Sequence, residues 1–135
     1  MTLSDEIEAV STDLAPNPAG HYSQAVVHAG LVYISGQLPV SSNGDDLTSA
    51  NFDCQARKVM ENLLAILGAA GSSPKRLLKV TAYIVGVEHW PEFNAIYADC
   101  LGDVKPARSV VPVHELHHGY LVEVDAIAAI EIAEI

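Results

Sequence analysis

Arg108 stands in the run Pro106-Ala107-Arg108-Ser109-Val110-Val111, which carries no other charge. If that run is a covered strand, the guanidinium is at least partly buried, and a buried arginine needs an anion. Its planar fork of N–H donors matches a carboxylate in two hydrogen bonds. Two partners satisfy it equally: a small organic acid, or an internal Asp or Glu. Glu123, between Val122 and Val124, is the second residue of interest. A carboxyl among apolar neighbours holds its proton to higher pH and can act as a general base towards water. Its competing roles are a partner for Arg108 or a simple edge position. Asp125 shares its strand face and dilutes the signal.

Two short runs could add donors. One is Tyr22-Ser23-Gln24 after Gly20; the other is Ser35-Gly36-Gln37-Leu38-Pro39. Gly36 permits close backbone approach and offers an N–H to an anion, and Ser35 offers a hydroxyl. Both runs also read as ordinary turn chemistry. No adjacent base marks Ser35 as a nucleophile. The histidines His21, His28, His89, His114, His117 and His118 match no ligand spacing on a helix face, so no metal is expected. There is no P-loop and no GxGxxG, which leaves nucleotide binding without support. Cys54 and Cys100 form no CxxC and read as two reduced, half-buried core thiols.

The elements that must position these groups follow from periodicity. Gln24–His28 and Leu31–Ser35 read as strands joined at Ala29-Gly30 in a hairpin. The polar stretch from Ser41 to Asp46 is a loop. Thr48 or Ser49 is expected to cap a helix in which Phe52, Ala56, Val59, Leu63, Leu67 and Ala70 recur every three or four residues, until Gly71 stops it. Leu77–Val87 is rich in β-branched and aromatic residues and reads as one long strand. Pro91 suits a first helical turn, and Phe93, Ile96, Tyr97 and Cys100 share a face before Gly102 ends that helix. Val104–His114 and Tyr120–Ile132 read as a final strand hairpin around His117-His118-Gly119. Residues 1–16 read as an acidic lead-in with a fraying helical turn.

The order β-β-α-β-α-β-β implies an α+β domain, one mixed sheet with both helices on one face. Several strands look apolar on both faces. Residues Leu77, Thr81, Tyr83 and Val85 alternate with Leu78, Val80, Ala82 and Ile84. Two helices cover one face only, and soluble monomers avoid a large exposed apolar sheet. Other copies of the chain are therefore expected to cover it in a closed symmetric oligomer.

Composition sets the outer bounds. A length of 135 residues suits one domain, and half of them are apolar. No apolar run reaches the roughly 18 residues of a membrane span. The first residues lack a basic or apolar leader, which points to the cytoplasm. The net charge is -10, with only seven basic residues scattered along the chain. Such a field repels nucleic acid and anionic lipid, so an anionic ligand must be small and met by a local cation.

Taken together, Gly20-His21-Tyr22-Ser23-Gln24-Ala25, Ile34-Ser35-Gly36-Gln37-Leu38-Pro39, Asn94-Ala95-Ile96-Tyr97, Pro106-Ala107-Arg108-Ser109 and Val122-Glu123-Val124-Asp125-Ala126-Ile127-Ala128 resemble the RidA (YjgF-type) imine deaminases. The resemblance covers about residues 16 to 132, and so divides the chain into a lead-in over 1–15 and a RidA-like domain over 16–135. It implies a chorismate-mutase-like fold, a homotrimer with a central barrel, and pockets between subunits. It also implies hydrolysis of 2-imino acids such as 2-iminobutanoate and 2-iminopropanoate to 2-keto acids and ammonia, without a cofactor. Carried over by position, Arg108 binds the carboxylate, assisted by the Gly36 and Val110 N–H groups. Glu123 activates water, and Tyr22, Ser35 and Asn94 line the pocket. Two positions depart from many members, which have proline at His21 and cysteine at Val110. Val110 removes a thiol but keeps the backbone donor. A non-catalytic module that binds a small carboxylate is the alternative, and it would need Arg108 but not Glu123.

Overall fold

The computed structural model describes residues 5–131. Its strands are β1 (Glu8–Val10), β2 (Ala25–His28), β3 (Leu31–Gln37), β4 (Leu77–Val85), β5 (Ala107–Val113) and β6 (Val122–Ala129). Helix α1 spans Phe52–Ala69 and α2 spans Trp90–Leu101. One sheet runs in the order β1-β2-β3-β6-β4-β5, with β4 and β5 parallel and the other pairs antiparallel. The α+β architecture with two helices packed on a sheet is the one expected.

The β2–β3 hairpin turns at Ala29 and Gly30, both at positive φ (49° and 82°). Paired positive φ values match the twist of two antiparallel strands. The cap of helix α1 lies three residues after Thr48, at Asn51, whose side chain accepts the Cys54 N–H at 2.9 Å. Thr48 instead turns its N–H and hydroxyl onto Asp46. Gly71 leaves the helix at φ 84°, and Gly102 ends α2.

Four expectations are corrected. Residues 8–10 form a strand on the open edge of β2, not a helical turn. Val104 turns back onto Leu101, so the strand at Arg108 begins only at Ala107. β5 and β6 are not a hairpin: β6 is inserted between β3 and β4, and β5 lies parallel to β4 at the sheet edge. That parallel pair needs a crossover, and α2 supplies it. Finally, Gly86 at φ 92° ends β4 two residues early. The expected end of the last strand, Ile132, lies outside the described residues.

Val32, Ile34, Val80, Ala82, Ile84, Val122, Val124, Ala126 and Ala128 pack with Val59, Met60, Leu63, Ile66, Leu67 and Phe93 into one core. The opposite sheet face differs from expectation. The β4–β6 register shifts between Leu77 and Lys79, so Leu77 is buried while Leu78 is 47% exposed. The uncovered face then shows Lys79, Thr81, Tyr83, Glu123, Asp125 and Ile127 in partly exposed positions. It is half polar rather than continuously apolar. Lys79 donates to the Ser109 hydroxyl (2.9 Å), and the Tyr83 hydroxyl donates to Asp125 (3.1 Å). Among the described residues no helix is long and apolar enough to cross a membrane.

Candidate functional site

Arg108 is registered against Val80 of β4, so its side chain leaves the sheet on the helix side. There it meets α2. Its Nη1 donates to Asn94 Oδ1 at 2.9 Å. Its Cζ lies 5.0 Å from the Tyr97 ring centroid and 5.8 Å from that of Trp90. Trp90, Asn94 and Tyr97 are spaced by four and three residues and so form one helix stripe. A guanidinium held by one hydrogen bond between two aromatic rings loses little rotamer freedom on meeting a ligand. Arg108 has no ion-pair partner among the described residues, where the salt bridges are Arg57 with Asp53 and Asp99, Lys58 with Glu61, and His89 with Glu92. An internal Asp or Glu therefore does not occupy it there. Asn94, Tyr97, Gly102, Val104, Lys105 and Arg108 line a cavity of about 420 Å³.

Glu123 is registered against Tyr83, three residues along β4 from the partner of Arg108. An odd offset on a strand is the opposite face. One chain thus places its arginine and its glutamate on opposite sides of the sheet. Around Glu123 lie Glu115, Leu116, His117, His118 and Gly119, lining a cavity of about 470 Å³. Burial pushes the Glu123 carboxyl above its ordinary 4.5; His117 pulls it back and Asp125 adds to the rise. This is the perturbation expected of a candidate base.

Ser35 and Gly36 fall in a bulge of β3, between the pairs Ile34–Ala126 and Gln37–Val124. A bulge re-aims the strand locally. A Cβ built on Gly36 would sit 2.5 Å from Glu123 Oε2, so only glycine lets the carboxylate lie against this backbone. The Ser35 hydroxyl donates to the Ser23 carbonyl at 2.6 Å, tying β3 to the segment that carries Tyr22. Tyr22 is exposed, its hydroxyl accepts the Ala19 N–H, and it lines a cleft of about 100 Å³ with Gln24, Gly36, Gln37 and His118. His118 borders both this cleft and the Glu123 cavity.

The structure therefore gathers the expected residues into two groups. Arg108 and Asn94 form one, with Val110 half-buried on the same face of the edge strand. Tyr22, Ser35, Gly36 and Glu123 form the other. Asn94 touches Arg108 directly, which makes it a positioning residue for the cation. Trp90, Tyr97, Lys105, His117 and His118 were not singled out from sequence as site residues. The stripe through Asn94 was the available signal for the first two. His114, His117 and His118 belong to no group of three or more metal-capable side chains among the described residues. Both cysteines are free, and Cys54 is exposed rather than half-buried.

A family model described as Endoribonuclease L-PSP matches residues 12–130. The chain is 38% identical over 121 residues to a RutC family protein of Pyrococcus horikoshii, covering 90% of this chain and 96% of that one. RidA from an Antarctic Psychrobacter superposes with a TM-score of 0.87 at 36% identity, over 91% of this chain and 99% of its own. E. coli TdcF with bound serine superposes with a TM-score of 0.86 at 32% identity, over 92% and 99%.

Proposed function

Because the chain belongs to the Endoribonuclease L-PSP family, the RidA/YjgF proteins, we propose that it hydrolyses small 2-imino acids to 2-keto acids and ammonia at a site shared by two subunits of a homotrimer. The observation that carries this reading is Arg108: a guanidinium free of carboxylates among the described residues, held by Asn94 beside a cavity of about 420 Å³. Cavities of that size suit small metabolites. The serine in E. coli TdcF presents the group that the arginine fork fits, a carboxylate on a small carbon frame.

The chemistry needs few groups. The imine carbon is already electrophilic. Glu123 takes a proton from water as the oxygen bonds to that carbon, giving a tetrahedral amino alcohol. Glu123 returns that proton to the nitrogen, and as the C–N bond breaks the hydroxyl gives its own proton to the freed Glu123 carboxylate, so that ammonia leaves and the keto acid remains. Positioning plus one general base supplies the acceleration, and Arg108 anchors the far end of the substrate. No step calls on a metal or an organic cofactor. The opposite-face placement of Arg108 and Glu123 supports a second copy as the wall that unites them. Work on such intermediates belongs in the cytoplasm, where amino-acid dehydratases would release them.

The family description names a ribonuclease. The charge of -10 favours a small ligand over RNA. A binding module without turnover keeps the same Arg108 and leaves Glu123 idle. The test generates 2-iminobutanoate in situ with a dehydratase and follows keto-acid release. Wild type should accelerate release and Arg108→Ala should not. A wild-type rate equal to buffer overturns the proposal.

A further inference from the structure

We propose that the site takes 2-imino acids whose side chain carries a second carboxylate, and that Lys105 binds this distal group while Arg108 holds the first. The inference deepens the reading of Arg108 as a carboxylate grip and rests on it. Arg108 and Lys105 line the same cavity of about 420 Å³. The chain has 17 acidic and 7 basic residues, yet that lining has two cations and, among the described residues, no acid. The Glu123 cavity is the reverse, with Glu115 and Glu123 in its wall. Arg57 and Lys58 hold carboxylates, whereas neither Lys105 nor Arg108 makes an ion pair among the described residues. Two cations that share a cavity repel one another until an anion joins them.

One carboxylate does not occupy both cations. It has about four lone-pair sites, and a bidentate arginine fills two of them. The Gly36 and Val110 N–H groups expected beside Arg108 fill the others. Lys105 is therefore surplus to the group on Arg108 and answers to a second one. Lys105 is exposed, so a ligand reaches its ammonium without displacing a fixed partner. It stands three residues before Arg108, which keeps the two Cα atoms within about 11 Å. Two long side chains across that distance can meet a short dicarboxylate at both ends. Val104, Pro106 and Tyr97 supply apolar wall for the methylene groups that join the two acids. The overall charge of -10 repels a dianion, so any preference for one must come from local cations.

The experiment titrates three keto acids into wild type and Lys105→Gln by calorimetry. 2-Oxoglutarate and 2-oxohexanoate are similar in length and differ in the distal carboxylate; 2-oxobutanoate is the short reference. Wild type should bind 2-oxoglutarate about five-fold more tightly than 2-oxohexanoate, the upper range for an ion pair with an exposed lysine. In Lys105→Gln that preference should vanish. A wild type without the preference, or a preference that survives Lys105→Gln, overturns the inference, and binding of 2-oxobutanoate then leaves the Arg108 grip standing. Failure of all three keto acids to bind wild type removes the grip itself, and this inference with it.

Discussion

As the proposed general base, Glu123 would work only if ionised, and its surroundings oppose that. Burial, aided by Asp125, raises its titration point above 4.5. The acid limb of kcat/KM for imine hydrolysis should therefore lie above the ordinary carboxylate value, and a pH–rate profile reads it directly. The same shift acts on stability with a definite sign. Between the unfolded and the raised folded titration points, the folded chain holds a proton that the unfolded chain has released. Stability from this group is fully present at lower pH and falls as pH rises through that window. Glu123→Gln should lose turnover while still binding a keto acid, and should flatten that slope; unchanged kcat would assign the base elsewhere. At this scale the sequence was informative about type and poor about neighbours. The uncharged run around Arg108 announced a cation in need of an anion. Nothing in that run shows that Asn94, Trp90 and Tyr97 hold it, because those contacts cross from an edge strand to a helix.

The elements were legible where one face alone is buried. The three- and four-residue spacing of Phe52, Ala56, Val59, Leu63 and Leu67 located α1, and Ala29-Gly30 located the hairpin. The final strands were misjudged because chain neighbours usually pair, whereas β6 is drawn between β3 and β4. A strand buried at the centre of a sheet looks much like an edge strand in sequence. The β1 strand is three residues long, too short for periodicity to show. Two substitutions test how elements support the site. Asn51→Ala removes the α1 cap and should cost about 1 kcal/mol, seen as a Tm lower by roughly 4 °C with kcat/KM unchanged. Gly36→Ala should do the reverse. The new methyl meets the mobile end of Glu123 rather than backbone, so the carboxylate swings aside at little cost in stability. Kcat should fall about ten-fold or more with Tm almost constant. A large Tm loss would mean that the bulge cannot adjust.

At the scale of the whole molecule, the exposed sheet face gave a weaker argument for assembly than expected. It carries Lys79, Asp125 and Tyr83 beside Ile127, so hydrophobic exposure alone does not demand a partner. The division of the site is the stronger ground. If one copy contributes Arg108 and its neighbour Glu123, then Arg108→Ala and Glu123→Gln are each inactive alone. Unfolded together and refolded as mixed trimers, they should regain roughly a quarter of wild-type activity, since random pairing restores both groups at about one interface in four. Mixtures no better than either variant would place both groups in one subunit. Sedimentation should report three copies per particle.

The opposite-face geometry would also shape the rate law. If the cation on one side of the sheet and the carboxylate on the other serve one reaction, a chain alone has no working centre. Specific activity should then vary with enzyme concentration, falling on dilution once particles separate and recovering on concentration. A newly made chain would stay silent until it met its copies, and the abundance of the protein would act as its own switch.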